Sequence, residues 1–113
     1  MDNYRKSPIF QKSEEIFQTL RTITSLIPED DEILQDIKHQ IMGNIMMIQA
    51  KLAGSHGAQL WDIRMENAAI IRKNARELMI QNHTLKAFGF RDVKYYDIVR
   101  EQLEEFRLLF REW

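Results

Sequence analysis

The 113-residue chain reads as an all-α protein, an antiparallel up-down-up-down four-helix bundle, on three observations. Apolar residues recur at spacings of three and four in four successive segments, which places one apolar stripe along each of four helices. The breaks between the segments are only a few residues long, and such short links join helices running in opposite directions. No stretch keeps the period of two that a half-buried strand requires. A lone amphipathic helix cannot hide its stripe from water, so the stripes cover one another and residues 1–113 form a single domain.

The first helix is predicted over 8–27. Ser7 caps it, and Pro8 suits a first turn whose N–H groups have no intrahelical partner. Ile9, Ser13, Ile16, Phe17, Leu20, Ile23, Thr24 and Ile27 line one face, and Pro28 stops the helix. The second helix, 31–54, begins in the acidic run Glu29-Asp30-Asp31-Glu32, where an aspartate cap and first-turn carboxylates match the positive end of the helix dipole. This run therefore needs no calcium to explain it. Leu34, Ile37, Ile41, Ile45, Ile48 and Leu52 form the stripe, broadened by Ile33, with Gly43 in mid-helix at a cost of about 1 kcal/mol against alanine.

Gly54-Ser55-His56-Gly57 is the clearest interior break. The third helix is expected over 58–88, with Asn82-His83-Thr84 as the place where a kink or a frayed turn could fall and Gly89 as the stop. Its face carries Leu60, Ile63, Ala68, Ile71, Ala75, Leu78 and Leu85. Asp92 is expected to cap the fourth helix, 92–113, whose stripe is Tyr96, Val99, Leu103, Phe106, Phe110 and Trp113.

Composition narrows the functional classes. A formal charge of -1 is not the footprint of a dedicated nucleic-acid or anionic-membrane binder. Without cysteine there is no disulfide, thiolate metal site or cysteine nucleophile, which fits a reducing cytoplasm. No secretory signal or membrane span is visible, so a cytoplasmic protein is expected. Dinuclear carboxylate bundles need Glu-x-x-His pairs. This chain has none, and its nearest approach, Asp36-x-x-His39, lies off the apolar stripe. Ser55-His56 adjacency makes no catalytic triad, and none of the four glycines opens a phosphate-binding loop. No enzyme activity, metal or cofactor is expected.

Three sets of residues remain as candidate sites. Arg64, Asn67, Asn74 and Asn82 interrupt the apolar face of the third helix, with Asn44 on the flank of the second. Burying such groups unpaired costs about 1–3 kcal/mol each, so they either fix helix register or line a polar pocket for a small anion. Arg72, Lys73 and Arg76, with Lys86 further along, give the third helix a basic outer face that an RNA could use, diluted by Glu66 and Glu77. Tyr95, Ile98, Leu108, Leu109 and Trp113 make the fourth helix apolar over more than one stripe, and Met42, Met46 and Met47 do the same for the second. This excess asks for a cover and predicts a homo-oligomer or protein partner. The expected function is a noncatalytic interaction or assembly module that self-associates through apolar helix faces, with nucleic-acid association and small-anion binding as alternatives. The outline resembles small bacterial four-helix-bundle proteins, but strings such as Met65-Glu66-Asn67-Ala68 and Leu103-Glu104-Glu105-Phe106-Arg107 carry no motif that selects an activity within that class.

Overall fold

The computed structural model describes residues 3–55 and 61–113. Among these the chain forms a 3-10 turn, Asn3–Lys6, followed by α1 (Pro8–Thr24), α2 (Glu32–Ser55) and α3 (Trp61–Ala87). A second 3-10 turn, Asp92–Tyr95, leads into α4 (Tyr96–Glu112), and the described residues contain no strand.

Local chemistry sets most of the helix ends. The Phe10 N–H donates to Ser7 Oγ at 3.3 Å, and the Leu34 N–H donates to Asp31 Oδ1 at 3.0 Å, so both expected caps are in place. At the end of α3, the Phe90 N–H reaches the Leu85 carbonyl and the Gly89 N–H reaches that of Lys86. Those two bonds make a Schellman motif, and its left-handed position is Gly89, at φ 96°. Phe90 is then buried beneath the helix end.

Several expectations need correction. α1 ends at Thr24 rather than residue 27: the Leu26 and Ile27 N–H groups bond three residues back, tightening the chain into 3-10 turns. Pro28 disfavours helical backbone at Ile27, and the Thr24 and Ser25 hydroxyls bond back to helix carbonyls. Asp92 does not cap α4. It opens the 3-10 turn, and α4 begins after Tyr95 without a side-chain cap. The helix α3 passes through Asn82-His83-Thr84 as regular helix, because the packing of Leu78, Gln81 and Leu85 outweighs a modest local loss of propensity. Residues 56–60, including His56, Gly57 and Leu60, lie outside the described residues.

The core follows the predicted stripes closely. Ile9, Ile16, Leu20 and Ile23 of α1 are buried, as are Leu34, Ile37, Ile41, Ile45, Ile48 and Leu52 of α2. From α3 come Ile71, Leu78 and Leu85, and from α4 come Tyr96, Val99, Leu103 and Phe106. Ile33 and Ile63 are instead exposed, because each sits beyond the edge of its helix's contact face. The molecule measures 45 × 22 × 21 Å. Its cross-section matches two helices by two at about 8–10 Å between axes. α1 packs on α2 and on α4, α2 packs on α3, and α3 and α4 make the sparsest contact of these pairs.

Candidate functional site

The sparse contact between α3 and α4 leaves a groove of about 520 Å3. Side-chain size explains it. Along the α3 face toward α4 run Ala68, Arg72, Ala75 and Met79, and two alanines with an outward-reaching arginine cannot fill the space between two helices. Larger groups prop both ends. At one end Tyr96 is fully buried and its hydroxyl donates to the Leu78 carbonyl at 2.7 Å. Burial pushes its pKa well above the ordinary 10.0. At the other end Arg64 Nη2 donates to the main-chain oxygen of Trp113 at 2.7 Å, with the guanidinium 4.8 Å from the Trp113 ring centroid.

The floor of the groove is apolar, made by Ile71, Ala75 and Met79 of α3 and by Leu103, Phe106 and Phe110 of α4. Its walls carry Arg72 and Arg76 on one side and Arg107 and Arg111 on the other, with Glu104 as the lone carboxylate. Arg107 donates to Glu104 at 3.0 Å. That bond raises the pKa of the Arg107 guanidinium further above its ordinary value. Arg72 lies 5.8 Å from the centroid of the Phe110 ring. A shallower extension, lined by Trp61, Met65 and Ala68, continues the trough past Arg72 and Phe110. The α3 residues that line the two adjoining hollows run from Trp61 to Met79, about 27 Å at ~1.5 Å per residue, with the Arg64–Trp113 contact in the shallower one. Phe106, Phe110 and Trp113 stack on one another along it, with centroids 6.2 and 5.6 Å apart.

The predicted basic face is thus divided. Arg72 and Arg76 line the groove, Lys73 does not, and Lys86 is exposed beyond its end. Reading the helices singly misses Arg107 and Arg111, which complete the walls. The available signal is the spacing Arg100, Glu104, Arg107, Arg111 on one flank of α4.

The polar residues of the α3 face are not gathered into one place. Asn44 Nδ2 donates to Gln81 Oε1 at 3.2 Å, Asn67 Nδ2 to Ser55 Oγ at 2.6 Å, and Asn74 Nδ2 to the Ile70 carbonyl at 2.8 Å. Arg64 is engaged by Trp113, and Asn82 Oδ1 is buried without a hydrogen-bond partner. Asn44 and Asn67 thus tie α2 to α3 at two separate levels, Asn74 bonds within α3, and Arg64 belongs to the contact between α3 and the end of α4. Of the fourth-helix set, Tyr95, Ile98 and Leu108 are about half exposed, while Leu109 and Trp113 pack against the core.

Asp36, His39 and His83 are exposed. No three His, Cys, Asp or Glu side chains converge on a common point among the described residues, and no described helix is long and apolar enough to cross a membrane. At the seam between α1 and α4, Lys12 bridges the two helices, donating to Glu15 at 3.1 Å and to Glu105 at 3.2 Å. Partial burial disfavours the Lys12 ammonium, but the two carboxylates outweigh it and hold its pKa above the ordinary 10.5. No protein-family model, curated protein or solved structure matches the chain.

Proposed function

We propose that the chain is a noncatalytic interaction module, an up-down-up-down bundle whose α3/α4 groove docks an amphipathic helix with acidic flanks. One observation carries this reading: an apolar floor lies between walls that hold four arginines and one glutamate. The alternating direction of the helices is supported by the order of their contacts. Asn44 meets Gln81 while Ser55 meets Asn67, so α2 and α3 run oppositely. Arg64 meets Trp113 while Leu78 meets Tyr96, which opposes α3 and α4 in the same way.

Shape and chemistry together favour a helix as occupant. The trough is long and open, whereas small ligands are held in concave sites that bury about 70–90% of their surface. An amphipathic helix presents anchors at i, i+3, i+4 and i+7 to such a groove. Flanking glutamates would meet Arg72 and Arg76 on one wall and Arg111 on the other. RNA is the less favoured occupant. The deeper floor is largely aliphatic, and Phe106, Phe110 and Trp113 are stacked on each other or covered by arginine, which leaves Trp61 as the exposed ring of the lining, where a single strand needs successive stacking platforms.

The test is calorimetric titration with two synthetic helical peptides that share a leucine stripe and differ in flanking residues, glutamate in one and lysine in the other. The glutamate peptide is expected to bind and the lysine peptide to fail, with R72E/R76E weakening binding by at least about tenfold. Equal binding of both peptides overturns the reading, as does binding of neither at protein concentrations where the chain is monomeric. Tighter binding of a single-stranded oligonucleotide, falling steeply with salt, would overturn it in favour of RNA.

A further inference from the structure

We infer that the helix received by this groove is α4 of a second copy, so that two chains exchange ridges and close a symmetric dimer; this rests on the docking function proposed above. The side of α4 away from the core carries Ile98, Glu101, Glu105, Leu108 and Glu112 at spacings of 3, 4, 3 and 4, and all five are exposed. Ile98 and Leu108 are 50% and 54% accessible, so the ridge offers apolar surface with no cover inside the protomer. Its charged members are all carboxylates. The neighbouring groove is the counterpart, apolar in its floor and rich in arginine along its walls.

Sizes and placement agree with the charges. The ridge from Ile98 to Glu112 extends about 21 Å, which fits within the ~27 Å trough. Ridge and groove occupy adjacent faces of the same helix. A two-fold axis beside α4 therefore seats each ridge in the other chain's groove, and the contact is self-complementary and closed. Leu108 then lies over the apolar floor, while Glu101 and Glu112 approach Arg72 and Arg76 of the second copy. Glu105 is the weaker contributor, since Lys12 of its own chain already holds it.

Charge reversal gives a test in which loss of folding cannot pass for the expected result. One variant reverses the ridge, E101K/E112K, and the other reverses the groove wall, R72E/R76E. All four residues are exposed, none is part of the core, and circular dichroism checks that both variants remain helical. Sedimentation equilibrium should find a dimer for the natural chain and a dissociation constant raised at least about tenfold for each variant alone. An equimolar mixture of the two should dimerise again, because each ridge then meets a groove of opposite sign. A monomeric natural chain at high concentration overturns the inference, as does dimerisation that either variant leaves unchanged, a mixture that stays monomeric, or open-ended assembly. If the natural chain is monomeric yet binds the glutamate peptide, the docking function stands and the second copy as occupant does not. If it does neither, both fail.

Discussion

Ala75→Leu probes whether the α3/α4 groove is true unfilled space, because Ala75 sits half-buried in its floor and faces Leu103, Phe106 and Phe110 across it. The substitution adds three carbons. Fully buried, these would contribute about 2.4 kcal/mol at ~0.8 kcal/mol per carbon. The groove is open along one side, so roughly half of that is realised, about 1.2 kcal/mol. Fixing a leucine rotamer costs about 0.5–1 kcal/mol. The net expectation is a stability between unchanged and about 0.7 kcal/mol higher, whereas forcing extra carbons into a filled core costs about 1–3 kcal/mol. Urea denaturation at low protein concentration reads the sign as a shift in midpoint at constant slope. The same variant should lose affinity for the glutamate peptide by at least about tenfold, since the added side chain occupies the floor. A stability loss above about 1 kcal/mol would refute the reasoning, because it would place close-packed atoms where the groove is drawn.

Three further outcomes are expected. Gly43 is exposed in mid-helix with nothing near the position a Cβ would take, so Gly43→Ala should raise stability by about 0.5–1 kcal/mol, while Gly89→Ala, at positive φ, should lower it by about 1 kcal/mol; thermal unfolding of both variants distinguishes the two signs. Arg64→Leu should cost about 1 kcal/mol through the lost bond and ring contact at Trp113, allowing for its partial exposure, and a more stable variant in chemical denaturation would mean that Arg64 is a tolerated burden rather than a tie between α3 and α4. Tyr96→Phe should cost about 0.5–1.5 kcal/mol near neutral pH. The folded-state pKa of Tyr96 lies above its unfolded value, so the natural chain binds more protons folded than unfolded and should lose stability as pH rises above 10, with the phenylalanine variant losing less. Lys12, also raised, contributes in the same direction above about pH 10.5 and remains in both chains, so an identical alkaline decline in the two proteins would contradict the assignment to Tyr96.

Most helical residues and the apolar face of each helix are legible in the sequence, because periodicity, caps and stop signals act within a few residues of one another. Ser7, Asp31 and Gly89 do what their local chemistry requires, and the isoleucine stripe of α2 is buried from Leu34 to Leu52. The end of α1 and the start of α4 were less legible, since adjacent 3-10 turns use the same residue types as helix ends. Tertiary structure alone decided the partners of Arg64, Asn44 and Asn67, which lie on other helices 49, 37 and 12 residues away in sequence from the groups they bond. It alone built the groove. A helical wheel shows where Ala68 and Ala75 face, but the distance between two helices depends on the summed volumes of side chains from both, and on props such as Tyr96 and Arg64 at the ends. Arg72 and Arg76 therefore became walls of a site only when α4 brought Arg107 and Arg111 to stand opposite them.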